Sequence, residues 1–399
     1  MQLLPEEKLI LACIKINPSS TEIEQINGLI ALIKNWDYLT KTIIDRGIGP
    51  LLYKKIPILK NSSLPEDVKL KLQQAYYKTF SRSTILYEHF RRIATEFTSQ
   101  NIPVIALKGI YLSEWLYQDI GMRQFSDIDL LVKESDASKC LSVLREMGYK
   151  PANTADRNLS HLVEEQFDND IVHYPPMLLN GVSIEIHIKL HRKTEQYNLF
   201  VPIVWKNAIP VIINGINVKA MNNNDLLIHL CLHLDKHVCG GHVQFTCYND
   251  ITNLLEKLAN EIDWENFSEA CRLYNCEKIV YKYIVMIYKY MNATIPIGIF
   301  RKYGYLVKKR DEQLFRNYLR GYKSETAKLK LSAHFAYIKN LQKPSNKVRY
   351  LRDVLFPSKA FMIQTYNIKN NSLVLFYYPY RLYIGIMGVI NHFRSKIRS

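Results

Sequence analysis

Apolar and polar positions along the chain change period several times, and each change marks an element. In residues 1–60, Leu3, Leu9, Ile10, Cys13 and Ile14 fall at helical spacing, which predicts short helices. Asn61-Ser-Ser-Leu-Pro65 breaks the pattern, and Ser62 or Ser63 is placed to cap the next helix. Glu66 to Ser99 contains neither Pro nor Gly and predicts one long helix, ended by Asn101-Ile-Pro103. Val104–Leu107 reads as a buried strand, and Lys108-Gly109 turns the chain into a helix running to about Tyr117. Asp127–Lys133 predicts a second strand, Asp136–Met147 an amphipathic helix closed by Gly148, and Tyr149–Pro151 an extended stretch. Residues 161–174 and 182–190 predict strands, divided by Pro175-Pro176 and the turn signal Asn180-Gly181, and 209–220 holds two extended runs around Asn214-Gly215.

From Asn224 the period becomes helical, with Leu226, Leu227, Leu230 and Leu234 on one stripe. Further helices are expected over 251–260, 264–273, 277–291 and most of 306–345, with a break at Pro344. The pattern as a whole predicts an α+β protein: N-terminal helices (1–100), a small mixed sheet with helices (101–220), a helical domain (221–300) and a helical C-terminal module (301–399). Leu373–Phe393 is the most apolar late segment, but it carries Pro379 and Arg381. A charge at a bilayer centre costs about 2.5–3.5 kcal/mol on insertion scales. The segment therefore reads as a buried or surface-docked helix, not a transmembrane span, and Arg394, Lys396 and Arg398 beside it leave peripheral membrane contact as an alternative.

The chemistry concentrates in Asp127-Ile-Asp129. Residues two apart in a strand point the same way, so the two carboxylates share one face while Ile128 turns into the core. Neighbouring carboxylates repel and rise in pKa unless a cation sits between them, and a divalent metal carrying a nucleoside triphosphate is one such cation. Ser183-Ile-Glu-Ile-His-Ile-Lys-Leu190 alternates strictly and offers Glu185 as a third carboxylate, with His187 on the same face. The competing reading is a solvated strand end.

Leu107-Lys-Gly109, Asp119-Ile-Gly-Met-Arg123 and Asp127-Ile-Asp-Leu-Leu-Val132 together resemble the uncharacterised nucleotidyltransferase family of the DNA polymerase β-like superfamily. Glu185-Ile-His187 is similar to its third-carboxylate strand, Leu226–His233 with His237 and Asp250 to a helical histidine segment, and Val348–Pro357 to a late family segment. The turn that is Gly-Ser or Gly-Gly in the wider superfamily is Lys108-Gly109 here, and the spacing to the first Asp is longer.

The resemblance implies transfer of a nucleoside monophosphate from ATP or another NTP to an acceptor hydroxyl, with pyrophosphate leaving. Asp127, Asp129 and Glu185 would be the catalytic residues and would hold Mg²⁺ or Mn²⁺. Lys108, Gly109, Arg123, His187, His233, His237 and Asp250 would contact the nucleotide or acceptor. Arg123 has a second reading as a residue that holds its loop through Asp119. His187 has a second reading as a residue that orders Glu185. His229, His233 and His237 lie four apart on one helix face, a spacing that also suits zinc, with His242 and Cys239 near but no third ligand evident. Packed structural histidines are the plain alternative.

Composition adds two points. Seven cysteines are scattered, with no Cys-x-x-Cys, which favours a reducing, cytoplasmic setting over a disulfide framework. The N-terminal stretch does not read as a secretory signal. The net charge of +16 is uneven: residues 1–300 hold 32 Lys and Arg against 33 Asp and Glu, whereas 301–399 hold 21 against 4, a net +17. A module so basic, interleaved with Tyr303, Tyr305, Tyr318, Tyr322, Tyr337 and Tyr350, attracts acidic acceptors, nucleic acid or anionic lipid. Its plain reading is a set of amphipathic helices. A non-catalytic protein that uses the same fold to bind nucleic acid or a partner is the alternative function class.

Overall fold

The computed structural model describes residues 3–59, 64–152, 172–191, 197, 199–240, 244–320, 338, 344–356, 362, 366, 368 and 373–397. The N-terminal helices are α1 (Pro5–Ala12), α2 (Ser20–Ile30), α3 (Trp36–Asp45), α4 (Gly49–Lys55) and α5 (Glu66–Ser99). The sheet region runs β1 (Ile105–Ala106), α6 (Lys108–Trp115), β2 (Asp127–Leu131), α7 (Ala137–Glu146), β3 (Lys150–Pro151), β4 (Met177–Leu179), β5 (Val182–His187), α8 (Val201–Asn207), β6 (Ile209–Ile213) and β7 (Ile216–Ala220). The helices after the sheet are α9 (Asn223–Gly240), α10 (Thr246–Lys257), α11 (Trp264–Leu273), α12 (Glu277–Met291), α13 (Ile297–Tyr303), α14 (Lys309–Arg320), α15 (Pro344–Leu355) and α16 (Val374–Ile397).

The expected α+β class is what the chain forms. Among the described residues, seven strands make one mixed sheet in the order β3-β4-β5-β2-β1-β7-β6. β2 and β5 run parallel at its centre, and β1 pairs antiparallel with β2 and parallel with β7. β3 pairs antiparallel with β4 at one edge, and β4–β5 and β6–β7 are hairpins. Their turns are Asn180-Gly181 and Asn214-Gly215, all four residues at positive φ between 47° and 77°, which is why Asn and Gly are needed there.

Helix α5 is the spine. Val68, Leu72, Ala75, Thr79, Ser83, Leu86, Phe90, Ile93 and Phe97 are buried at spacings of three and four, one continuous apolar face. That face packs on α3 and α4 on one side and on α7, β2 and β7 on the other. Pro65 leads into it, Glu66 and Asp67 suit the positive end of the helix dipole, and Asn101 at φ 57° comes just past its end.

Several boundaries differ from the sequence reading. The first strand is Ile105–Ala106 within the expected Val104–Leu107, and the second ends at Leu131. The helix expected from 251 begins at Thr246, because Cys247, Tyr248 and Asn249 are buried against the neighbouring helices and extend the first turn. Of the strand expected over 161–174, residues 161–171 lie outside the described residues; the strand entering the Asn180-Gly181 turn is Met177–Leu179. β5 ends at His187, short of the expected 190, and His191 lies beyond it.

One hydrophobic core extends from Leu9 in α1 to Leu319 in α14. Phe315 and Leu319 are buried in that core, and Arg320 pairs with the buried Glu7 of α1, so α14 packs on the body of the protein. Pro344 opens α15, where its fixed φ and missing N–H are tolerated. In α16, Leu375, Phe376, Tyr380, Tyr383 and Ile386 are exposed, whereas Val374 is buried with Met362 and Ile368. Among the described residues, no helix is long and apolar enough to cross a membrane.

Candidate functional site

Alternation in β2 and β5 sends Ile128, Leu130, Ile184 and Ile186 into the core, each almost wholly buried. The opposite face carries Asp127, Asp129, Glu185 and His187. The parallel register sets Asp127 beside Ser183 and Asp129 directly beside Glu185. His187 Nε2 lies 2.9 Å from Asp129 Oδ1 and 3.6 Å from Glu185 Oε2, so it bridges the two strands' carboxylates. A ligand atom from each of Asp129, Glu185 and His187 lies within 4.8 Å of the others. His173 adds a second imidazole, Nδ1 3.9 Å from Glu185 Oε2.

The two aspartates are electrostatically unlike. Burial, then the charges of Asp129 and Glu185, push the Asp127 carboxyl up to about 6. Burial also pushes Asp129 upward, but Lys108 and His187 outweigh it and hold that carboxyl well below the usual range. Burial pushes the Glu185 carboxyl upward, but the hydrogen bond from His187 and the charges of His173 and His187 together outweigh it and hold the group below its ordinary value. For His187, the two carboxylate partners overcome the downward pull of burial, and its pKa is raised.

Lys108 brings a cation to this cluster. Its Nζ donates to Asp129 Oδ2 at 3.0 Å, and attraction to Asp129, Asp127 and Glu185 overrides the effect of burial to keep the ammonium charged. Lys108 opens α6 at φ 41°, so Lys, not Gly109, takes the left-handed conformation at this turn. Gly109 serves another need: a Cβ there would stand 2.7 Å from the Phe125 ring. Glycine lets the loop before β2 close down on α6.

Arg123 and Asp250 meet each other. Arg123 Nε donates to Asp250 Oδ1 at 2.8 Å and Nη2 to Oδ2 at 2.7 Å, and Tyr117 Oη donates to Oδ1 at 2.9 Å. All three side chains are buried. The loop from Tyr117 to Arg123 is thus bound to α10 by a forked ion pair. The reading of Arg123 as held through Asp119 is corrected: Asp119 accepts from Tyr76 Oη at 3.1 Å and pairs with Lys54 at 3.0 Å, fastening the same loop to α4 and α5. Arg123 Nη1 is buried and has no hydrogen-bond partner among the described residues.

A series of imidazoles extends from the carboxylates. His191 packs edge-on to Tyr197 and lies 6.0 Å from His229, ring centre to ring centre; His229 lies 6.1 Å from His233, and His233 4.4 Å from His237. Burial first, and the charge of Lys108 second, hold both His229 and His233 well below the ordinary histidine value. Both ring nitrogens of His229 are buried, with no hydrogen-bond partner among the described residues.

The sequence reading missed His173 as a neighbour of Glu185 and Cys247 as a neighbour of the histidine pair. His173 sits in an isolated bridge opposite His187, and Cys247 stands on the helix after the histidines. Neither spacing carries a signal in the chain itself.

A family model described as an uncharacterised nucleotidyltransferase matches residues 34–292. No curated protein matches the chain. Among solved structures, the antibiotic-resistance factor ANT(2'')-Ia is 9% identical, over 48% of this chain and 92% of that one, with a TM-score of 0.35. An antigenic nucleotidyltransferase-like protein from Paracoccidioides brasiliensis is 14% identical, over 55% of this chain and 96% of that one, with a TM-score of 0.29.

Proposed function

We propose that this chain, which belongs to the uncharacterised nucleotidyltransferase family and is thus a transferase, moves a nucleoside monophosphate from an NTP to an acceptor hydroxyl and releases pyrophosphate. The observation that carries this reading is the register that sets Asp129 beside Glu185, with Asp127 two residues earlier on the same face. Three carboxylates on one face, one of them pushed up to about 6 by burial and then by the charges of the other two, make a site suited to a further cation.

The donor set fits a hard divalent cation, because Mg²⁺ and Mn²⁺ take oxygen ligands. Asp127, Asp129 and Glu185 would hold it. When bound, it would neutralise triphosphate charge and act as a Lewis acid.

The remaining work falls to this chain's own side chains. The Lys108 ammonium, already at the carboxylates, would bind a phosphate oxygen of the incoming triphosphate. Arg123 Nη1 is the one nitrogen of its fork left for a substrate oxygen. Glu185 is ionised at neutral pH and would take the proton of the acceptor hydroxyl as its oxygen attacks the α-phosphorus. The bond from that phosphorus to the bridging oxygen breaks, and pyrophosphate leaves. His187 would keep Glu185 and Asp129 aligned. His233, close enough to Lys108 to feel its charge, would line the cleft from α9 with His237 one turn further on.

The test is pyrophosphate release from each of the four NTPs with Mg²⁺ or Mn²⁺. Asp127→Asn with Asp129→Asn should abolish release while the protein stays folded. Undiminished release from that double variant would remove the mechanism.

A further inference from the structure

Besides the carboxylate cluster, α9 and α10 bring together three side chains with metal-binding atoms. One ring nitrogen each from His233 and His237, and the sulfur of Cys247, all lie within 4.8 Å of one another. The two histidines are one helical turn apart on the same face of α9. Their Nε2 atoms face each other at 2.9 Å, and the rings stand nearly perpendicular, at 87°. Cys247 enters from the first turn of α10 and is buried. The sequence offers Cys239 as the nearby sulfur, but Cys239 is exposed and its Sγ donates to Asp235 at 3.8 Å.

We propose that His233, His237 and Cys247 form a second metal site, one that takes a zinc-class cation and not magnesium. Two imidazoles and a thiol are borderline-to-soft donors, which select Zn²⁺ over oxygen-seeking ions. In a tetrahedral zinc site, Zn–N is about 2.0–2.1 Å and Zn–S about 2.3 Å. Those lengths place ligand atoms somewhat more than 3 Å apart, so the two facing nitrogens need only open slightly to admit the ion. Binding releases the Cys247 thiol proton to solvent and replaces the hydrogen bond between the histidines. Three protein donors leave the fourth tetrahedral position for water or a substrate atom, the pattern of a site that does more than brace a fold. The ion would also join α9 to α10, the helix that carries Asp250 and so holds the Arg123 loop. This inference stands on its own geometry and does not depend on the carboxylate site.

The experiment is metal analysis of the purified full-length chain, then titration of the metal-stripped protein with Zn²⁺ and Co²⁺. The wild type should retain or take up one equivalent of zinc. Co²⁺ should produce a sulfur-to-cobalt charge-transfer band in the near ultraviolet. Cys247→Ser should lose that band and bind at least tenfold more weakly, and His237→Gln should weaken binding similarly. Asp127→Asn with Asp129→Asn should keep the band, which separates this site from the carboxylates. Folded wild-type protein that takes up no stoichiometric zinc or cobalt, or that binds cobalt without a sulfur band, overturns the proposal. An unchanged band in Cys247→Ser overturns it as well. The wild-type measurement decides the matter even if a variant does not fold.

Discussion

Asp129 and Glu185 stand side by side across the parallel β2–β5 pair, and His187 reaches both, at 2.9 Å and 3.6 Å. Asp127, on the same face, has neither Lys108 nor His187 as a hydrogen-bond partner. Two aspartates one strand-step apart therefore hold opposite places in the charge balance: one is anchored by cations, the other repelled by its neighbours.

That difference predicts opposite stability effects from two like substitutions. Without added metal, Asp127→Asn should raise the melting temperature, because it removes the repelled carboxylate. Asp129→Asn should lower stability by about 3 kcal/mol, the usual scale for removing one partner of a buried ion pair, since Lys108 and His187 lose their anionic partner. Both should cut turnover by about a thousandfold or more if the charge stabilisation they support is worth several kcal/mol. Thermal melts beside a pyrophosphate assay would show whether the signs differ.

Asp127 also sets a pH dependence. Its ordinary value is 3.8 and its folded value about 6, so between those limits the folded chain holds a proton that the unfolded chain has lost. Stability of the metal-free protein from this group should therefore fall as pH rises from about 4 to about 6. Mn²⁺ must displace that proton, so its affinity should weaken as pH drops below 6. Titration calorimetry at pH 5.5 and 7.5 would detect the proton released on binding, and equal affinity at both would count against Asp127 as a ligand.

Lys55 gives a test away from the site. It is 3% exposed, its Nζ donates to Leu51 O at 3.3 Å, and burial depresses its pKa from 10.5 to about 8. Below about pH 8 the folded chain carries a buried ammonium. Between about 8 and 10.5 the unfolded chain keeps the proton that the folded chain has lost, so this contribution to stability rises with pH. Lys55→Met removes the burden and should stabilise by about 3 kcal/mol at pH 7. The gap from wild type should close toward pH 10. Urea denaturation of both proteins across that range measures it.

Arg123 and Asp250 should behave as a unit. Asp250→Ala leaves a buried guanidinium without its carboxylate and should cost about 3–5 kcal/mol. Arg123→Met combined with Asp250→Leu removes both charges and should recover much of that loss. A double-mutant cycle read by denaturation gives the coupling, and near-additive single changes would show that the fork contributes little.

The sequence shows its strand faces and turns more clearly than its long-range partners. Strict alternation through Ser183–Leu190 and the two Asn-Gly pairs are local signals, and both hairpins form where those signals stand. The carboxylate grouping was legible for the same reason, since period two fixes which side chains share a face. The Arg123–Asp250 pair is separated by 127 positions and depends on how a loop packs against α10. Nothing in local spacing favours Asp250 over Asp119, which is four residues away. Cys247 was hidden likewise, on a helix adjacent only after folding. Of the basic C-terminal module, the charge is plain in the sequence; residues 321–337 lie outside the described residues.

Arg82, midway along α5, donates from one nitrogen to two carbonyls: Ser126 O at 3.0 Å, just before β2, and Gly181 O at 2.9 Å, just before β5. A single guanidinium outside the sheet thereby ties together the entry points of both acid-bearing strands. A tilt of the long helix would pull on both carbonyls at once, so the seating of the N-terminal bundle bears directly on how the carboxylates of the two strands line up.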